Sequence, residues 1–271
     1  MAYWTLDDIP WDCFDRGKLD RDIVQIVKAA SLVEYNGAAY AHHLCRIFDD
    51  DPDFQQNARC WGKEEMQHGE ALARWAALAD PTFDFNDAFG RFQAGYRVDF
   101  DCGNSRRGSR SGEMIARCIV EVGTSSYYTA LRDAVHEPVL KRICRNIAAD
   151  EIRHYKLFYN NLVRCLVHER IGLCRCLRVA FRRIVESQDD ELAYAYYAAN
   201  GAARAYDRRR CSRAYARRAF ALYREHHVAH GVAMICKALG LRPNGRLARA
   251  ASRLAWRLLR YRATRLARAE A

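Results

Sequence analysis

The chain has 271 residues, half of them apolar, with five prolines and no long Gly/Ser tract; this excludes a disordered polypeptide and allows a sizeable core. Its formal net charge of +11 is uneven: residues 200–271 hold 18 Lys/Arg against 3 Asp/Glu, and the first 199 hold 26 against 30. Eleven irregularly spaced cysteines without a Cys-x-x-Cys exclude a zinc ribbon or rubredoxin-type site, and with an N-terminal stretch that lacks an apolar signal region they predict a cytoplasmic protein.

Alternating Val, Ile and Thr are scarce while Ala, Leu and Arg dominate, so the expected fold class is all-α. A first helix is expected over about 19–48. "DDDPD" at 49–53 ends it, with Asp51 as N-cap and Pro52 at the first position of the next helix. That second helix runs to about Leu78. A long connection, 80–112, follows, with a short helix near 86–95. A third helix is expected from about Glu113 to Val135, broken by "HEP" at 136–138, and a fourth to about His168. Further helices are expected near 176–205, 213–239 and 246–268. The domain reading is a four-helix unit in 1–170 with additional C-terminal helices, 171–271, packed on it. No uncharged apolar run of about 18 residues predicts a membrane span.

One pattern repeats. "KEEMQH" places Glu65 and His68 three residues apart, and "DEIRH" does the same for Glu151 and His154; that spacing puts each pair on one helix face. A single such pair is common on a solvated surface. Upstream of each, however, an otherwise uncharged apolar helix carries one carboxylate, Glu34 within 29–45 and Glu121 within 118–131. A lone buried carboxylate is costly unless something pairs with it. Glu34 precedes Glu65 by 31 residues and Glu121 precedes Glu151 by 30, while Glu65–Glu151 and His68–His154 are both 86 apart. If each Glu faces its Glu-x-x-His across an antiparallel hairpin, the turns fall inside "DDDPD" and "HEP", where the breakers are. Two such hairpins joined by the long crossover make a four-helix bundle with four carboxylates and two imidazoles at its centre, the donor set of a dinuclear iron or manganese site. Hard oxygen donors with one imidazole per metal suit those two metals better than zinc or copper.

On these residues the chain resembles the ferritin-like di-iron carboxylate superfamily, in its ribonucleotide-reductase-like branch, and most of all the soluble acyl-carrier-protein desaturases. The resemblance covers about residues 20–170. Trp61, Glu64, Glu65, His68, Gly69 and Leu72 match that family's W-x-x-E-E-x-x-H-G-x-x-L, and "ADEIRH" matches its D-E-x-R-H. Gln67 departs from the usual Arg, and the chain is shorter than the plant enzymes. Leu72 stands where a ribonucleotide reductase subunit has its radical tyrosine. The resemblance implies two iron ions, with manganese as the other metal, and an O₂-dependent oxidation of an unactivated bond in an organic substrate such as a fatty acyl chain. Electrons would come from an external donor such as a ferredoxin, and the family likeness suggests a homodimer. Thr124 stands where the family places a threonine for O₂ or proton handling, and Asp150 would orient a ligating histidine. Ser125, Tyr128 and Leu72 are the expected substrate-pocket residues. Two alternatives use the same sequence: a ferroxidase or peroxide scavenger without organic substrate, and a non-catalytic helical binding protein.

At the C-terminus, Arg246, Arg249, Arg253, Arg257 and Arg260 line one face of the last helix, and Leu247, Ala251, Leu254 and Leu258 line another. This basic amphipathic helix is expected either to pack with a solvated arginine face or to dock an acidic partner, such as an acyl carrier protein or a ferredoxin, or an anionic membrane surface. Basic charge without a reading motif makes no case for nucleic acid.

Overall fold

A computed structural model describes residues 4–96, 105–186, 190–201 and 205–268. Among them the chain is all-helical, with no strand: α1 Arg21–Tyr35, α2 Gly37–Ile47, α3 Pro52–Ala79, α4 Phe85–Gly95, α5 Arg110–Ala134, α6 Pro138–Glu169, α7 Leu173–Glu186, α8 Asp190–Asn200, α9 Arg208–Leu222, α10 Glu225–Ala238 and α11 Arg246–Arg268. Among the described residues no helix is long and apolar enough to cross a membrane. The ten cysteines among them are free; Cys102 and the middle of the 80–112 connection lie outside the described residues.

Both breakers act as expected. Asp51 caps α3 by accepting from the Phe54 amide, with Pro52 at the first helical position. At the other hairpin the cap is Glu137, fully buried, which accepts from the Val139 and Leu140 amides, from Trp75 Nε1 at 2.6 Å and from the Asp15 amide at 3.2 Å. Four donors offset the cost of burying that carboxylate.

The long helices run antiparallel in pairs. Lys28 on α1 meets Asp80 beyond the end of α3, while Gly37 meets Glu65 and Ala41 meets Gly62. In the second pair, the Ser111 amide at the start of α5 donates to Glu169 at the end of α6, and Thr124 reaches Glu151. Two apolar clusters form along these helices. One contains Ile26, Leu72, Trp75, Leu131, Leu140 and Ile147. The other contains Leu44, Phe54, Trp61, Met114, Phe158 and Leu162. On α3, α5 and α6 the polar positions of the repeat fall between the two. α7 and α10 pack on α5, and α8 packs on α1 and α4.

Four expectations need correction. The first helix is not continuous: it breaks at Asn36, where the Asn36 amide bonds the Val33 carbonyl and α2 starts afresh at Gly37. The stretch 213–239 is two helices, α9 and α10, separated by extended backbone at Tyr223 and Arg224. His227 makes the restart, its Nδ1 accepting from the Arg224 amide at 3.0 Å. The stretch 176–205 holds α7 and α8, which pack on different neighbours; residues 187–189 and 202–204 lie outside the described residues. On α11 the apolar face expected to pack is exposed: Leu247, Leu254 and Leu258 are each more than half accessible. The less exposed side, with Ala248, Ala255, Trp256 and Leu259, is the one left to face α9 and α10, on which the helix packs.

Candidate metal centre

Six side chains from four helices converge in the layer between the apolar clusters. Glu34 comes from α1, Glu65 and His68 from α3, Glu121 from α5, Glu151 and His154 from α6, and all are buried. They form two overlapping groups: Glu34, Glu65, His68 and Glu151 in one, and Glu65, Glu121, Glu151 and His154 in the other. Within each group the donor atoms lie within 4.8 Å of one another, so each could hold a metal ion. Glu65 and Glu151 belong to both.

Close helix approach makes this convergence possible. A Cβ on Gly37 would lie 2.3 Å from Glu65 Cβ, and one on Gly69 would lie 2.6 Å from the Tyr35 backbone nitrogen. Any larger residue there would push α1 and α2 off α3. The Asn36–Gly37 dipeptide is a turn signal in the sequence, and it marks the place where the first helix is bent over Glu65.

Each imidazole is fixed from behind by a carboxylate on the opposite helix. His68 Nε2 lies 3.0 Å from Asp150 Oδ2, and His154 Nε2 lies 2.8 Å from Glu64 Oε2. Both rings therefore turn Nδ1 toward the cluster. His68 Nδ1 is 3.4 Å from Glu151 and 3.6 Å from Glu34. His154 Nδ1 is 3.0 Å from Glu65 and 3.7 Å from Glu121 and from Glu151. Arg153 bonds Asp150 and also reaches Glu64 at 3.3 Å, and Trp4 Nε1 donates to Asp150 at 2.8 Å.

The decisive feature is what the inner atoms lack. Glu34 Oε2, Glu65 Oε1, His68 Nδ1, Glu121 Oε1, Glu151 Oε1 and His154 Nδ1 are all buried without a well-formed hydrogen bond, the two ring nitrogens meeting the carboxylates only as ion pairs at 3.0–3.7 Å. Orphaned buried polar atoms are rare, and six facing one another form a donor set that two cations would satisfy. The electrostatics agree. Burial, with Glu151 and Glu34 beside it, pushes the Glu65 carboxyl up to about 8. Burial and the neighbouring Glu151 and Glu65 push Glu121 well above the ordinary range. Burial opposes charge on both imidazoles, but the carboxylates around them outweigh it and hold both well above the ordinary histidine range. Without metal, protons must neutralise the cluster; metal binding displaces them.

Thr124 Oγ1 donates to Glu151 Oε2 at 2.7 Å, and it also lies within 3.2 Å of the Val120 and Glu121 carbonyls. Tyr128, expected at the substrate pocket, donates to Glu34 Oε1 at 2.6 Å. Ser125 and Leu72 are buried, and Leu72 belongs to the apolar cluster around Trp75. The five α11 arginines are exposed and belong to neither group. Glu64, Arg153 and Trp4 are the residues that sequence reasoning did not place at the site. Glu64 was detectable, because it precedes Asp150 by the same 86 residues that separate the paired ligands; nothing local marks Trp4.

A third group, Asp133, His226 and His227, lies nearer the surface. Both His227 nitrogens are engaged there, Nδ1 by the Arg224 amide and Nε2 by Asp133 at 3.0 Å, so it serves the start of α10.

No protein-family model matches the chain, and no curated protein matches it.

Proposed function

We propose that the chain is a ferritin-like dinuclear metal protein that catalyses an oxygen-dependent oxidation of an unactivated bond in an organic substrate. The observation carrying this reading is the pair of buried four-residue groups that share Glu65 and Glu151. Two bound iron ions would supply the reduction of O₂, and the same oxygen-rich donors accept manganese. Glu65 and Glu151, common to both groups, would help hold both ions, with Glu34 and His68 in one group and Glu121 and His154 in the other. Asp150 and Glu64 hold the imidazoles in the tautomer that presents Nδ1. Thr124 is placed to hold or pass a proton at Glu151 Oε2, and Tyr128 does the same at Glu34 Oε1. The apolar clusters on either side exclude water.

For the substrate we propose a fatty acyl chain, by resemblance to the desaturases, with electrons from an external donor. The exposed arginine face of α11 supports docking of an acidic carrier or donor protein there. A second reading, iron oxidation or peroxide removal without organic substrate, is favoured by the sealed packing of Leu72 and Tyr128, at 0% and 1% exposure.

Anaerobic Fe(II) loading followed by metal analysis and O₂ exposure tests both readings. Binding of about two ions per chain, with O₂ uptake that continues only with an external reductant and acyl carrier, supports the oxidase. Continuous Fe(II) oxidation with neither supports the ferroxidase. Failure to bind metal sinks both.

A further inference from the structure

A cavity of about 870 Å³, bordered by α2, α5 and α7, lies apart from the carboxylate cluster. Its volume suits a small organic molecule. One face of α7 lines it, through Cys174, Arg178, Val179, Arg182, Arg183 and Glu186. In all, seven arginines border the cavity against three glutamates. Those glutamates are already engaged. Glu186 pairs with Arg107 at 2.6 Å, Glu113 accepts from Ser105 at 2.9 Å, and Glu191 accepts from Tyr40 at 2.7 Å. Among the described residues, Arg178, Arg182 and Arg183 form no ion pair. At the inner wall, Arg117 has only 11% of its side chain exposed, and its Nε is buried without a hydrogen-bond partner, 3.9 Å from the nearer Glu113 oxygen. Burial, followed by the nearby charges of Arg117 and Arg107, presses Arg183 below the ordinary arginine range. Among the described residues, positive charge thus outnumbers acid on one concave wall.

We infer that this cavity binds a small phosphate-bearing molecule, its phosphate held by Arg178, Arg182 and Arg183 with Arg117 at the inner wall. One guanidinium fork satisfies a carboxylate. A phosphate brings up to about two charges and three acceptor oxygens, which several guanidinium groups match. Tyr40, Tyr96 and Val179 border the remaining space and suit an organic remainder. Trp61 stands between cavity and cluster, its ring 5.8 Å from the Arg117 guanidinium and edge-on to His154 at 6.4 Å. The site is therefore separate from the metal centre, and phosphate binding needs no metal.

Calorimetric titration of the metal-free full chain with pyrophosphate, inorganic phosphate, citrate and anionic phospholipid vesicles tests the inference. Saturable one-site binding of pyrophosphate, weaker binding of phosphate, and a loss of about tenfold or more in the Arg178→Ala/Arg182→Ala variant are expected. Both arginines are exposed on α7, so helix content and thermal unfolding should match the unaltered chain. The exposed pair Arg142→Ala/Arg145→Ala on α6 removes the same charge elsewhere and should bind pyrophosphate normally. The inference is overturned by an absence of saturable pyrophosphate binding, by citrate binding as tightly, by equal losses in the two variants, or by binding of vesicles alone.

Discussion

The two helix pairs bring matching ligands to the cluster on differently built supports. In the second pair, α5 and α6 are unbroken helices, and Gly123 on α5 faces open space. In the first pair the chain breaks at Asn36, directly after Glu34 and Tyr35, and glycines at 37, 62 and 69 let α1 and α2 press close to α3. Their supporting hydrogen bonds differ too. Glu34 Oε1 receives the Tyr128 hydroxyl from across the bundle, whereas Glu121 Oε1 has no partner. Sequence spacing sets which donors share a level; backbone clearance sets whether they meet.

The largest expected effect separates shared from unshared carboxylates. Glu65→Ala or Glu151→Ala should reduce metal content from about two ions per chain to almost none, and Glu34→Ala or Glu121→Ala should leave about one. Equal losses in all four, read by elemental analysis, would break the description of two groups sharing two members. Next comes clearance. Gly37→Ala should destabilise the protein by about 3 kcal/mol, because its new Cβ meets Glu65 Cβ. Gly123→Ala should stabilise it by about 0.5–1 kcal/mol. Urea unfolding of the two variants, if it gave shifts of the same sign, would show that the two supports do not differ in packing. Tyr128→Phe should cost about 2 kcal/mol in metal-free protein, since Glu34 then loses its buried donor. A small effect lies at the far end of the first pair. Hydrogen bonds from Lys28 and Thr82 hold the Asp80 carboxyl down to about 2. Its contribution is fully present above its ordinary value of 3.8 and fades as pH falls through about 2. Asp80→Asn should remove about 1 kcal/mol at neutral pH, little because solvent screens the pair, and should flatten the acid limb of the stability profile.

Much of the helical pattern was legible because its signals are local. Asp51–Pro52 and Glu137–Pro138 start helices for reasons of capping and fixed proline φ, and each lies near the midpoint that the carboxylate spacing requires. The six inner residues were legible because lone carboxylates in apolar helices are expensive and their intervals repeat. What stayed hidden depends on contacts distant in the chain. Trp4 reaches Asp150 across 146 positions, and no spacing rule connects them. At the start of α10 the His227 ring accepts from the amide of the N-cap residue Arg224, a contact for which the sequence reading had no signal. On α11 the sequence pattern pointed to the face of Leu247, Ala251, Leu254 and Leu258, and only the neighbouring helices decide that another is covered.

Arg153 has a consequence of its own. One guanidinium holds Asp150 behind His68 and also reaches Glu64 behind His154, so both imidazoles share one source of polarisation, to which Trp4 adds on the His68 side. The basicity of the two rings is coupled in this way: a change at Arg153 should shift both in the same direction. That link runs through a residue that belongs to neither four-residue group.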